Sequence, residues 1–311
     1  MKKNSQILVT GASSMIGRQV CRLLEEKGYQ FVFPVFHNQY DLTSEVIVSE
    51  LFGTVDPKYV IHLAGHNGGI EFNRKYPHVI FEKTVRMAIN ILGQCSQRKN
   101  TIKKVISALP SCAYPGSASD STMEEELWNG PSHPSVDCHG HAKRILHAYS
   151  AQLNKIGIDT TCCMINNSYG PHDKFDPDRA KVVGGMIKRF VDAKRNNDKK
   201  VVCWGSGRPQ REFIYCQDAA EGLIQSMERN VGPVINISSG EEVTIKQLAE
   251  TIADEVGYEG NIEWDLTKTD GQMRKRLDTG KMNYFLDVPI TSLQEGIRNT
   301  VNWYEKELTN E

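Results

Sequence analysis

The strongest constraint on the fold is a glycine-rich turn near the start of the chain. Ile7-Leu8-Val9-Thr10 reads as a short buried strand, and Gly11-Ala12-Ser13-Ser14-Met15-Ile16-Gly17 follows it directly and opens a helical pattern. A strand that feeds a helix through so few residues is the first half of a βαβ unit. Gly11 permits the tight turn, and Gly17 permits close packing of helix on strand. Free N–H groups at such a helix start face an anion, so Ser13, Ser14, Met15 and Ile16 join the two glycines as candidate contacts of a dinucleotide pyrophosphate. Ser14 occupies the place of the middle glycine in G-x-x-G-x-x-G, and on this motif alone an ordinary strand-to-helix turn is the alternative.

The rhythm set by this unit continues. β-rich apolar runs predict strands near 6–10, 31–35, 59–63, 104–108 and 160–165, with helices near 15–28, 74–98 and 139–155 between them. That alternation implies an α/β fold, a doubly wound parallel sheet of Rossmann type covered on both faces. After Tyr169-Gly170-Pro171 the pattern breaks into loops, a helix near 182–195 and a strand near 200–204. It partly recovers at Phe213–Met227 and Val234–Ile237, departs again around 238–285, and ends in a helix near 291–307. The expected division is a sheet domain of residues 1–170, 213–238 and 286–311, capped by a smaller discontinuous lobe of residues 171–212 and 239–285.

Composition excludes several classes. The 311 residues include 37 basic and 38 acidic side chains, a balance that attracts neither nucleic acid nor a membrane surface. The longest apolar runs, such as Val60–Ala64, fall far short of the roughly 18 to 20 residues that span a bilayer. Met1-Lys2-Lys3 leads straight into the first strand without an apolar leader, so a cytoplasmic protein is expected. Eight cysteines with no C-x-x-C pair make neither a disulfide framework nor a zinc site, and no metal is expected. Most are expected to be reduced, buried small residues, with Cys112 the exception.

Further cofactor contacts are suggested by position. Asp41-Leu42 after the second strand suits a carboxylate near an adenine, and Leu63-Ala64-Gly65 ends the third strand where backbone can run along the cofactor. The tip of the second strand ordinarily decides between NAD, through an acidic residue, and NADP, through arginine. Val35-Phe36-His37-Asn38 offers neither; His37 is a weak candidate for a 2′-phosphate and otherwise a solvated loop histidine.

Several ordered segments together resemble the extended short-chain dehydrogenase/reductases, and among them the GDP-fucose synthetase (GDP-4-keto-6-deoxymannose epimerase-reductase) family. They are His62 through Ile70 (HLAGHNGGI), Ser111-Cys112-Ala113-Tyr114-Pro115, Asn167 through Phe175 (NSYGPHDKF), Trp204-Gly205-Ser206-Gly207 with Arg211-Glu212-Phe213, and Asp270-Gly271 with Arg274-Lys275. The resemblance implies an NADP-type cofactor, NAD not being excluded, a GDP-sugar or related sugar nucleotide in the cleft, and a homodimer built on two helices per subunit. It also implies that Ile165, Ser168 and Lys143 touch the cofactor, and that Asn167, Lys181, Arg189, Trp204, Arg211 and Lys275 line the sugar-nucleotide site. Two arginines that can clamp a diphosphate and a tryptophan that offers a flat face suit that role; for a lone arginine a surface ion pair is the plainer reading.

Three positions depart from the family pattern. The serine that would hold the substrate carbonyl is Pro110, and in an extended segment Ser111 would point away while Cys112 shares the side of Pro110. The tyrosine of Tyr-x-x-x-Lys is His139, four residues before Lys143 and on the same helical face. An imidazolium can donate a proton, but a nearby ammonium lowers its pKa, so donation would favour mildly acidic pH. The family's epimerisation pair is a cysteine base and a histidine acid; Cys112 keeps the first, and Lys181 stands at the second. The catalytic candidates are therefore His139, Lys143, Cys112 and Lys181.

These residues support an NAD(P)-dependent epimerase/reductase acting on a GDP-linked 4-keto sugar with atypical catalytic groups. A redox-neutral epimerase of a keto sugar nucleotide and a catalytically inactive sugar-nucleotide-binding relative are the alternatives, since pockets do not guarantee an activity.

Overall fold

Continuous apolar runs become the central sheet because both of its faces are covered. The computed structural model describes residues 1–117 and 121–310, the side chains of Ile70 and Asn310 excepted. In chain order the first half comprises β1 (Gln6–Thr10), α1 (Met15–Glu26), β2 (Phe31–Val35), α2 (Glu45–Val55), β3 (Tyr59–His62), α3 (Ile70–Lys75), α4 (Pro77–Gln97), β4 (Lys104–Pro110), α5 (Asp137–Lys155) and β5 (Asp159–Ile165). Then follow β6 (Asn167–Tyr169), α6 (Val182–Asn196), β7 (Lys200–Trp204), β8 (Gln210–Tyr215), α7 (Cys216–Glu228), β9 (Val234–Ile237), β10 (Glu242–Thr244), α8 (Ile245–Val256), β11 (Asn261–Asp265), β12 (Arg274–Lys275), α9 (Gly280–Phe285) and α10 (Leu293–Asn310).

Six strands form one parallel sheet in the order β2-β1-β3-β4-β5-β9. The order reverses between β1 and β3, and the crevice beyond the carboxyl ends of strands at such a reversal is where ligands bind in open α/β sheets. Side chains alternate across the sheet. Leu8, Val60, Val105 and Cys162 enter the core beneath α2, α4 and α5. Ile7, Val9, Ile61, Ile106 and Cys163 enter the core beneath α1 and α7. Adjacent Cys162 and Cys163 thus face opposite layers, and all eight cysteines are free thiols.

The remaining elements gather beside this sheet around a third core. Phe190 of α6, Leu248 and Ile252 of α8, Val201 of β7, Phe213 of β8, and Ile297 and Val301 of α10 share it. β8 lies between β10 and β12 and also pairs with β6, which continues the chain from β5.

Some elements differ from the sequence expectation. The helix expected over 74–98 is two, broken at Tyr76, where Pro77 starts a new helix and supplies no N–H. α2 and α8 were not anticipated; α8 opens on a Thr244–Gln247 capping box, a signal present in the sequence.

Candidate active site

The glycine turn builds the first wall. A Cβ on Gly17 would lie 2.2 Å from the Gly11 carbonyl oxygen, and one on Gly11, whose φ is +70°, would lie 2.9 Å from Ala64 N. Both positions therefore need glycine. Ser14 is the N-cap of α1, and its hydroxyl accepts from Gly17 N at 3.1 Å. The N–H groups of Ser13, Met15 and Ile16 meet no acceptor among the described residues. A turn with three free donors at a helix start fits the pyrophosphate of a nicotinamide dinucleotide. Arg18, which the sequence reading passed over, donates to Ser13 O at 3.2 Å.

At the adjacent strand ends, His37 Nδ1 lies 3.4 Å from Ser13 Oγ on the exposed side. Asp41 accepts from both the N–H and the hydroxyl of Thr43, which holds its carboxyl below the ordinary carboxylate value and gives it a turn-forming job. Leu42 is buried, and its carbonyl accepts from Asn90. Thr10 Oγ1 and His62 Nδ1 are hydrogen-bonded at 2.8 Å under the Leu63-Ala64-Gly65 segment. Burial and then Lys143 push His62 down to about 3, so it is neutral. Gly65 leaves open space beside Lys143, whose ammonium a Cβ there would meet at 3.6 Å.

α5 carries His139 and Lys143 on one buried face. Lys143 Nζ donates to Ala108 O at 3.0 Å and Ala64 O at 3.4 Å, at the ends of β4 and β3. Burial pulls it down to about 8. His139 is 5% exposed and its buried Nδ1 has no hydrogen-bond partner. Burial first, then the ammonium groups of Lys143 and Lys181, hold its imidazole well below the ordinary histidine value. Both effects favour the neutral imidazole and work against the proton donation at mildly acidic pH expected from an imidazolium.

The segment after β4 is not extended. Pro110 ends the strand opposite Ile165, and Ser111–Ala113 turns as one 3₁₀ segment. The expectation that Ser111 faces away through strand alternation therefore fails in its premise. Ser111 is removed from the cleft by a bond instead: its hydroxyl donates to Asn166 Oδ1 at 3.0 Å in the interior. Arg144 clamps the turn from α5, donating to Ala113 O at 2.6 Å and Gly130 O at 2.7 Å. Gly140 admits α5 this closely, since a Cβ there would lie 2.7 Å from Cys112 O.

Behind the turn lies a buried network that sequence reading missed. Glu212, fully buried on β8, accepts on Oε2 from Asn166 Nδ2 at 2.6 Å, Ser238 Oγ at 2.9 Å and Leu277 N at 2.8 Å. Asn167 Nδ2 donates to Asn166 Oδ1 and to Glu212 O. Through its carboxyl group and its backbone carbonyl, Glu212 thereby ties together the turn after β4, the Asn166-Asn167 segment and the chain two residues past β12. Ile165 and Ser168 flank this junction and are buried. The signal was present in the Arg211-Glu212-Phe213 motif, but the Glu212 partners lie 26 to 65 residues away in sequence.

Basic and aromatic groups line the outer cleft. Arg189 on α6 donates to Val202 O at 2.8 Å and stands 6.0 Å from the Trp204 ring, which is 56% exposed. Arg211 donates to Gln210 O at 2.7 Å and to Gln272 O. Neither arginine has a carboxylate in ion-pair range among the described residues, so the surface-pair reading is set aside. Lys275 pairs across the ladder with Arg211. Lys181, the exposed N-cap of α6, acts electrostatically on His139, Cys112 and the half-buried Asp173. Burial raises the Cys112 thiol against the opposing pull of Lys275, Lys181 and Lys143, in that order.

The model of the NAD dependent epimerase/dehydratase family matches residues 7–238. GDP-L-fucose synthase 1 of Arabidopsis thaliana is 34% identical over 313 residues, covering 99% of this chain and 95% of its own. GDP-L-fucose synthase of Escherichia coli (strain K12) is 31% identical over 313 residues, covering 96% of each. The solved structure of a GDP-L-fucose synthetase from Naegleria fowleri bound to NADP matches with a TM-score of 0.90 at 28% identity, covering 99% of this chain and 96% of that one. With the resemblance read from the motifs matched along almost the whole length, the chain belongs to the NAD dependent epimerase/dehydratase family.

Proposed function

We propose that the protein is an NADP-dependent epimerase/reductase of a GDP-linked 4-keto sugar. Its relatives are GDP-L-fucose synthases, and the solved neighbour carries NADP. The observation that most supports the reading is that the glycine turn leaves β1 where the sheet order reverses, and Lys143 reaches Ala64 O and Ala108 O on the neighbouring β3 and β4 segments, while Arg211 and Lys275 pair on the separate β8–β12 ladder. Like charges directly opposite on a ladder repel, and a diphosphate between them would relieve that repulsion.

When bound, the reduced nicotinamide supplies a hydride to the sugar ketone. The chain must then supply a proton to the sugar oxygen, and Lys143, pulled to about 8, is the group near neutrality able to give one. His139 is placed one turn away on the same face as a neutral group that can accept at one ring nitrogen and donate from the other. Lys143 as donor with His139 as relay is therefore the proposed route. Pro110 contributes no hydroxyl, so the ketone is polarised less than a serine would allow.

The same reading takes the protein as a homodimer in the cytoplasm; the exposed Phe81 and Ile89 on α4 support an apolar contact there. No helix among the described residues is long and apolar enough to cross a membrane. The test is turnover: purified protein with NADPH and a GDP-4-keto-6-deoxy sugar is expected to consume NADPH between pH 5.5 and 8, a range set around the imidazole pKa. No nicotinamide change anywhere in that range removes the reductase part.

A further inference from the structure

We infer that Asn73 is a positioning residue for the His139–Lys143 face, holding the loop after β3 against the first turn of α5. The inference rests on the reading that those two side chains handle the proton of the reduction.

Asn73 lies in α3 with 3% of its surface exposed. Its Nδ2 donates to Asn67 Oδ1 at 3.0 Å, Gly68 O at 3.0 Å and Gly69 O at 2.9 Å. Three acceptors on one side of the amide require its nitrogen there, which turns Oδ1 the other way. On that side Cys138 Sγ donates to Oδ1 at 3.4 Å. One buried amide therefore joins the loop after β3 to a helix that begins more than sixty residues later.

The loop needs such a brace, because Gly68 and Gly69 are successive glycines whose backbone is costly to order. Its start is fixed by other groups: His66 N donates to Thr84 Oγ1 on α4 at 3.3 Å, and Lys143 Nζ donates to Ala64 O at 3.4 Å. The loop thus runs along α5, beginning at Lys143 and ending, through Asn73, at Cys138. His139 lies in the stretch of helix between those two attachments.

α5 needs the brace as well. Val136 at its N-cap gives the first turn no side-chain bond. His139 Nδ1 is buried without a partner, so the ring takes its place from the backbone that carries it. Cys138 precedes His139 and is held by Asn73, while Gly140 follows it and packs closely on Cys112 O.

The same loop also meets the segment after β6. Lys174 Nζ donates to Asn67 O at 3.3 Å, a Cβ on Gly69 would lie 2.5 Å from Ala180 O, and the Arg179 guanidinium stands 5.0 Å from the Phe72 ring. With the carbonyls of Asn67, Gly68 and Gly69 all engaged, a shift of that segment is carried to α5 through Asn73.

Two measurements test the role, and the first needs no sugar. Alkylation of Cys138 by iodoacetamide at pH 8, read on the Cys138 peptide by mass spectrometry, is expected to run about fivefold faster in Asn73→Ala, the effect of losing one hydrogen bond of ordinary strength. An unchanged rate overturns the brace.

The second is NADPH consumption with a GDP-4-keto-6-deoxy sugar, with kcat taken per NADPH-binding site so that loss of folded protein does not enter. Asn73→Ala should lower kcat about 10- to 100-fold, the effect of misplacing a reacting group by about 1 Å, while KM for cofactor and sugar stays within about threefold. Asn73→Asp keeps the acceptor for Cys138 but has no N–H for the loop, and should lose as much. Cys138→Ala should lower kcat about threefold, and adding it to Asn73→Ala should cost nothing further, as expected of two members of one contact. A kcat for Asn73→Ala within about twofold of the wild type, or a raised KM at unchanged kcat, overturns the role. Should Asn73→Ala fail to fold, an unchanged kcat in Cys138→Ala overturns it. If the wild type itself consumes no NADPH, the functional reading fails, and the positioning role fails with it, whatever the alkylation result.

Discussion

Lys143 stands one helical turn beyond His139 on the buried face of α5, and its ammonium depresses an imidazole that burial has already made hard to charge. On the proposed route the proton for reduction comes from Lys143, and the sign of the pH dependence follows. The donor form of Lys143 is present below about 8 and is lost as pH rises through that value. NADPH consumption should be level from pH 5.5 to 7 and decline above about 8. A profile that instead rises toward pH 5.5 with a midpoint near 6.5, the ordinary histidine value, would show His139 acting as an imidazolium.

Replacing His139 with tyrosine should restore a phenol where the family carries one. An acid–base group is typically worth about 10² to 10⁴ in rate, and with Pro110 still lacking a hydroxyl only part of that is recoverable. His139→Tyr is expected to raise the rate of NADPH consumption about tenfold at pH 7.5. A rate at or below that of His139→Ala counts against the relay.

Gly17→Ala tests the turn. The added methyl meets backbone at 2.2 Å, which no side-chain movement relieves. Urea unfolding should show a loss of roughly 1–3 kcal/mol, the usual cost of overpacking, with NADP affinity falling as well. Unchanged stability would mean that α1 can shift away from β1.

Arg211 should act on binding more than on chemistry. Arg211→Ala removes charge-assisted bonds worth about 1.5–3 kcal/mol each, so KM for the GDP-sugar should rise roughly 10- to 100-fold while kcat stays within about threefold. A fall in kcat at unchanged KM would place Arg211 with the reacting atoms.

Glu212 adds a stability effect with a definite sign. Burial raises its carboxyl against the bonds it accepts, so the folded state favours the protonated form. That contribution is full below the ordinary glutamate pKa and is lost as pH rises through the raised value. As pH rises above the ordinary glutamate range, the wild type should therefore lose stability relative to Glu212→Gln in urea unfolding. The opposite slope would mean that Arg276 and the three donors outweigh burial.

The sequence made the sheet legible because strands buried on both faces are continuous apolar runs, and it made the first turn legible because Gly11 and Gly17 answer local steric demands. Short-range helical signals were partly read: Thr244 and Gln247 announced α8, but lay in a stretch whose rhythm had already broken. Ser111 does turn from the cleft, but not for the reason expected, because strand periodicity was carried one residue past the end of β4, into a turn. Glu212 and Lys275 were legible as motif letters, Asn166 was not read at all, and nothing joined Asn166 to Glu212. Their association depends on bonds between segments that meet only when β5, β6, β8 and β12 come together, and no local pattern encodes that meeting.

Ser14 has a consequence for how the cofactor arrives. Because its hydroxyl already holds Gly17 N, the loop keeps its shape before any dinucleotide is present, and the cost of ordering it falls on folding rather than on binding. A serine there exchanges one potential phosphate donor for a mould that is set in advance.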